Sequence, residues 1–117
     1  MVISMDPASA SPRVGTVYLL HFSRAYYHAR HYLGFTQNLE GRLQRHRWGA
    51  GSPLVRAAVR TGVEIFLARR WDNVTVAFER RVHERRGGLR HVCPICSGPA
   101  ARRIGNPHRD PITDIGV

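Results

Sequence analysis

Two tyrosines, Tyr18 and Tyr32, stand fourteen residues apart in the runs Thr16-Val17-Tyr18 and Tyr32-Leu33-Gly34. Just downstream, the run Asn38 to His46 carries Arg42 and His46 four residues apart, and Glu79 follows in a later segment. A phenol can hold a water molecule and, with a lowered pKa, remove its proton. A nearby guanidinium and a divalent cation both favour the phenolate. Arginine offers phosphate a planar fork of donors and stays charged, so it can stabilise a transition state with extra negative charge. Histidine can bind phosphate or relay a proton to a leaving oxygen. A lone carboxylate suits Mg²⁺, which keeps much of its water. Phosphodiester cleavage needs that set of groups.

These groups need a scaffold that aims them. Gly15 to Phe22 is short, apolar and rich in β-formers, which predicts a strand. The polar and aromatic stretch Ser23 to Arg30 predicts a hairpin loop longer than two residues. His31 to Phe35 predicts a second, antiparallel strand ending near Gly34, where the chain can turn sharply. Thr36 or Asn38 can cap a helix whose buried edge is Leu39 and Leu43. Arg42 and His46 share a face of that helix, and Arg45 and Arg47 point elsewhere, towards a polyanion backbone. Ser52-Pro53 opens another helix, with Leu54, Ala57 and Ala58 as its apolar stripe. Val63, Ile65 and Leu67 alternate as a third strand. Asp72 or Asn73 caps the last helix, with Val74, Ala77, Phe78 and Val82 inside.

The arrangement resembles the GIY-YIG nuclease domain over roughly 14–86. Thr16-Val17-Tyr18 stands where that family has Gly-Ile-Tyr, and Tyr32-Leu33-Gly34 where it has Tyr-Ile-Gly. More narrowly, the chain is similar to small stand-alone bacterial members. The resemblance implies an α+β fold, a three-stranded antiparallel sheet flanked by helices in the order β-β-α-α-β-α. It implies a metal-dependent DNA endonuclease, structure-selective or weakly sequence-specific, in DNA repair or recombination. Tyr18, Tyr32, Arg42, His46 and Glu79 would be its active-site residues, with Tyr18 the general base and Glu79 holding Mg²⁺ or Mn²⁺. Phe35 stands where some relatives carry a lysine. Three plainer readings stay beside these: half-buried strand tyrosines, a solvated basic helix face, and Glu79 paired with neighbouring arginines.

The whole chain sets the limits. Its 117 residues hold one domain with one modest core. Eighteen arginines, no lysine and eight acidic residues give a net charge of +10, which favours a polyanion as partner, nucleic acid above all. Biased codon use accounts for arginine over lysine but not for the excess of bases over acids. No run approaches the length of a membrane span and no signal-type apolar run opens the chain, which predicts a soluble, cytoplasmic protein. No separate recognition domain is visible, which leaves room for a protein partner that supplies specificity. Residues 1–13 lack periodicity and read as a tail. From Gly87 onward Gly, Pro and Arg dominate, so 87–117 reads as a basic C-terminal tail.

Within that tail Cys93-Pro94-Ile95-Cys96 resembles half of a zinc knuckle. A closed structural site needs four ligands. His83, His91 and His108, or a second chain, are the candidates for the rest. The alternatives are a degenerate knuckle without metal and, for the whole chain, a nucleic-acid-binding module that does not cut or a small metal-binding adaptor.

Overall fold

The computed structural model describes residues 13–84 and 88–101. The expected N-terminal tail (Arg13 apart), His108 and the end of the chain lie outside the described residues. In chain order the elements are β1 (Val14–Tyr26), β2 (Ala29–Thr36), α1 (Leu39–Arg47), α2 (Pro53–Arg60), β3 (Ile65–Thr75) and α3 (Val76–His83). A 3₁₀ turn (Leu89–His91), α4 (Pro94–Ser97) and a second 3₁₀ turn (Gly98–Ala100) follow. The three strands form one antiparallel sheet with β1 in the centre, order β2-β1-β3. The expected α+β fold is thus observed.

Alternation along β1 divides the molecule into layers. Tyr18, Leu20 and Phe22 face α1 and α2, where they pack with Leu39, Val55, Ala58 and Val63. Val17 and Leu19 face the other way and pack with Leu33, Ala68, Trp71, Val82 of α3, Val92 and Cys93. Both central-strand faces are covered, which explains why Val17 to Phe22 reads as a nearly unbroken apolar run.

The helix starts follow their local chemistry. Asn38 Oδ1 accepts from the Gly41 amide at 3.1 Å, and Thr36 Oγ1 holds the Asn38 amide at 3.0 Å. Ser52 Oγ accepts from the Val55 amide at 3.3 Å, with Pro53 at the first helical position. Both starts satisfy donors that the helix itself leaves unpaired.

The structure corrects the sequence reading in three places. The β1–β2 connection is the short turn Tyr27–His28, with Tyr27 at φ 54°, and not a long loop. Polar residues 23–26 stay in the sheet through an irregular ladder, helped by Ser23 N–H donating to the Glu64 carbonyl at 2.8 Å. Next, β3 runs to Thr75, so Asp72 and Asn73 are strand residues and Thr75 is the N-cap of α3. The Asp72 carboxylate is already engaged by Thr16 Oγ1 at 2.8 Å and by Arg70 at 2.9 Å. That hydrogen bond from Arg70, more than any other influence, lowers the Asp72 pKa. Finally, residues 88–101 are not a loose tail: Val92 and Cys93 are fully buried, and Arg69 donates to the Val92 carbonyl at 3.0 Å. Apolar residues spaced without helical or strand period gave no sign of that packing.

Candidate active site and metal cluster

Tyr18, Tyr32, Arg42 and His46 come together between the sheet and α1. Tyr18 on β1 lies opposite Gly34 on β2, and Tyr32 lies opposite Leu20 two residues along. The tyrosine rings are 6.1 Å apart, and the His46 ring is 5.7 Å from Tyr18 and 5.4 Å from Tyr32. Tyr18 Oη and His46 Nε2 are 2.7 Å apart, a short buried hydrogen bond. Arg42, one turn before His46 on α1, sits beside the Tyr18 phenol.

The electrostatics of this group differ from the expectation of an easily ionised tyrosine. Burial first, and then Tyr32, push the Tyr18 phenol well above its ordinary pKa, and Arg42 offsets this only in part. Burial first, then Arg42 and Arg45, lower His46 to about 4. At neutral pH the pair is therefore a phenol and a neutral imidazole. The phenol is the donor, and Nε2 accepts. The His46 proton then rests on Nδ1, which is buried with no hydrogen-bond partner among the described residues. Tyr18 itself has no exposed surface, whereas Tyr32 and Arg42 are partly open to solvent.

Two glycines make the arrangement possible by leaving space. A Cβ on Gly34 would lie 2.6 Å from Cζ and Oη of Tyr18. Gly34 lies within β2 without a left-handed φ, so its role is room for the ring and not a sharp turn. A Cβ on Gly51 would lie 2.6 Å from Cε1 of His46. From sequence alone Gly51 reads as a helix stop; its closeness to His46 is a tertiary fact.

Glu79 belongs to the opposite layer. It sits on α3, which packs on the Val17 face through Phe78 and Val82. Its carboxylate is 4.0 Å from Nε2 of His83. It lines an open depression of ≈ 630 Å³ with Val76, Ala77, Arg80, His83 and Glu84. Neither tyrosine lines that depression, nor does Arg42 or His46. The structure thus gathers four of the five expected residues and leaves the carboxylate on the other side of the sheet.

A second cluster lies on the same side of the sheet as α3. His21, His31, Cys93 and Cys96 each present one ligand atom, all within 4.8 Å of one another, and could hold a metal ion. The helical turn Pro94–Ser97 folds Cys93 and Cys96 together. His21 and His31 are a directly opposed cross-strand pair. The ring nitrogens, His21 Nδ1 and His31 Nε2, are 3.4 Å apart. Burial, more than any neighbour, lowers both histidines, His31 to about 4. Burial raises the Cys93 thiol to about 11, against the backbone amides of Cys96 and Ile95, which pull it down.

The expected partners for the cysteines were His83, His91 and His108. His83 instead meets Glu79, and neither His83 nor His91 belongs to the cluster among the described residues. His21 and His31 went unnoticed because each is a lone strand histidine. A signal was present: each falls on the strand face opposite its neighbouring tyrosine, a face that a soluble sheet normally fills with apolar side chains.

Compared with known protein families, with curated proteins and with solved structures, the chain matches none.

Proposed function

We propose that this chain is a metal-dependent DNA endonuclease of GIY-YIG type that hydrolyses one phosphodiester bond, with a preference for DNA structure over sequence. The observation that carries the reading is the grouping of Tyr18, Tyr32, Arg42 and His46 around one 2.7 Å Tyr18–His46 hydrogen bond. In this reading Arg42 and Tyr32, the solvent-accessible members, receive the scissile phosphate. Arg42 stabilises the charge that grows on its oxygens. Tyr18 takes a proton from the attacking water as its own proton passes to Nε2 of His46. His46, a weak base at about 4, then passes that proton on to the leaving oxygen, and the pair returns to its starting state. Exposed Arg45 and Arg47 hold the DNA backbone beside the site.

Two ions belong to the reading. Glu79, partly buried at the rim of an open depression with exposed Glu84 beside it, would hold a hydrated Mg²⁺ or Mn²⁺ rather than a caged one. The sheet separates that ion from Arg42 and Tyr32, so it would polarise the phosphate they receive only if α3 or the DNA closes the gap on binding. The Cys93–Cys96 pair fits zinc, in keeping with its thiol ligands.

The test is incubation of the purified protein with branched, flapped and plain duplex DNA in Mg²⁺. Cleavage is expected, and Tyr18→Phe and His46→Ala should each lower its rate by about 10²–10⁴-fold while DNA binding is kept. Glu79→Gln should abolish the metal dependence if that gap closes; an unchanged dependence would leave Glu79 outside the reaction. Full activity in Tyr18→Phe would remove the relay. A second reading, a nucleic-acid-binding module that does not cut, is favoured by the complete burial of Tyr18. DNA binding without cleavage of any substrate would select it.

A further inference from the structure

We propose that His21, His31, Cys93 and Cys96 form a closed, intrachain zinc site that fastens residues 88–101 to the sheet and locks the strand register behind the tyrosines. The inference goes beyond the nuclease reading and stands without it.

Four of the six distances between the ligand atoms match the edges of a filled tetrahedron, and the other two are within 4.8 Å. With Zn–N near 2.05 Å and Zn–S near 2.3 Å, its edges are about 3.3 Å for N–N and about 3.6 Å for S–N. The His21 Nδ1 to His31 Nε2 distance is 3.4 Å. Cys93 Sγ lies 3.6 Å from His21 Nδ1, and Cys96 Sγ lies 3.5 Å from His21 Nδ1 and 3.3 Å from His31 Nε2. Hydrogen bonding alone does not account for this convergence. His21 Nδ1 faces three polar atoms at once, and one ring nitrogen carries at most one proton. A cation at the centre satisfies all four atoms together. Two thiolates and two imidazoles are a donor set suited to zinc, and four protein ligands leave no open position for substrate. The site is therefore structural.

Its place in the fold says what it holds. The two histidines face each other across β1 and β2, at the last regular pair before the ladder becomes irregular towards Tyr26. Leu20–Tyr32 is the adjoining pair, and Tyr18–Gly34 lies two pairs further. A one-residue slip of β2 against β1 would put Tyr32 on the opposite face from Tyr18. A metal bound by one residue from each strand forbids that slip. The cysteines come from a segment that also holds to the sheet through Leu89, Val92, Cys93 and the Arg69–Val92 hydrogen bond. Zinc thus ties the end of the domain to its centre, a use that small cores favour.

The test uses the full chain, expressed with added zinc and desalted. It should carry one zinc per chain. Cobalt substitution should give the intense visible bands of a tetrahedral site together with thiolate-to-metal charge transfer. Chelation should lower the melting temperature, expose 88–101 to protease and be reversed by Zn²⁺. His31→Asn and the exposed-ligand variant Cys96→Ser should each weaken zinc binding by more than the about 10–100-fold that losing an outer-shell partner costs. Three results would overturn the proposal: no zinc uptake by the metal-free wild type, zinc held at wild-type affinity by His21→Asn/His31→Asn, or a Cys93–Cys96 disulfide in protein purified without oxidant. None of these readouts depends on DNA cleavage, so failure here and failure of the nuclease reading are told apart.

Discussion

At the scale of single residues, the site is governed by space and burial. Tyr18 is buried against Gly34, and His46 against Gly51, so each glycine limits the ring beside it. Gly34→Ala would force the Tyr18 ring out of place, with a cost of about 1–3 kcal/mol for overpacking. Urea unfolding would read that loss, and a change in tyrosine near-UV dichroism would locate it. Unchanged stability would mean that the ring moves freely. Burial also sets a pH dependence. The His46 pKa is lowered from 6.5 to about 4 in the folded protein, so between those values the unfolded chain binds the extra proton. The His46 contribution to stability is thus complete above 6.5 and is lost as pH falls towards about 4. Melting temperatures should decline over that window, less steeply for His46→Gln. Equal slopes in the two proteins would place the titration elsewhere.

At the scale of elements, short helices depend on their caps and on the sheet beneath them. α2 has eight residues, opened by the Ser52 hydroxyl and Pro53 and anchored by Val55 and Ala58. An isolated helix of that length is marginal in water. Ser52→Ala should destabilise the domain by about 1 kcal/mol. Chemical denaturation is the measurement, and no change would mean that tertiary packing alone holds the helix. The strands show the opposite dependence. Ser23 to Tyr26 looks like a loop in sequence and Asp72 to Val74 like the start of a helix, yet both belong to strands that pair at Tyr26, Val74 and Thr75. Their hydrogen bonds come from backbone groups that polarity does not reveal.

At the scale of the whole molecule, charge is the leading feature. A chain of net charge +10 gathers counter-ions of a polyanion and releases them on binding. If Arg42, Arg45 and Arg47 each neutralise one phosphate, the log–log slope of DNA affinity against salt should be about −2.7. In Arg45→Ala/Arg47→Ala it should shrink to about −0.9. A flat dependence on salt in the wild type would remove nucleic acid as the partner. Among the described residues no helix is long and apolar enough to cross a membrane.

The strand and helix order, two of the three long-helix caps and the grouping of Arg42 with His46 were legible along the chain, because these depend on periodicity and neighbours a few residues apart. It also carried the tyrosine pair, since two strands joined by a short connection must lie antiparallel. The rest came from how the elements pack in three dimensions. Burial made Tyr18 a held phenol, because desolvation depends on what covers a side chain and not on its type. The sheet separated Glu79 from the tyrosines by setting α3 on its other face. Folding back of 88–101 brought Cys93 and Cys96 to His21 and His31, residues some 60–75 positions apart along the chain, a separation across which no local pattern carries information.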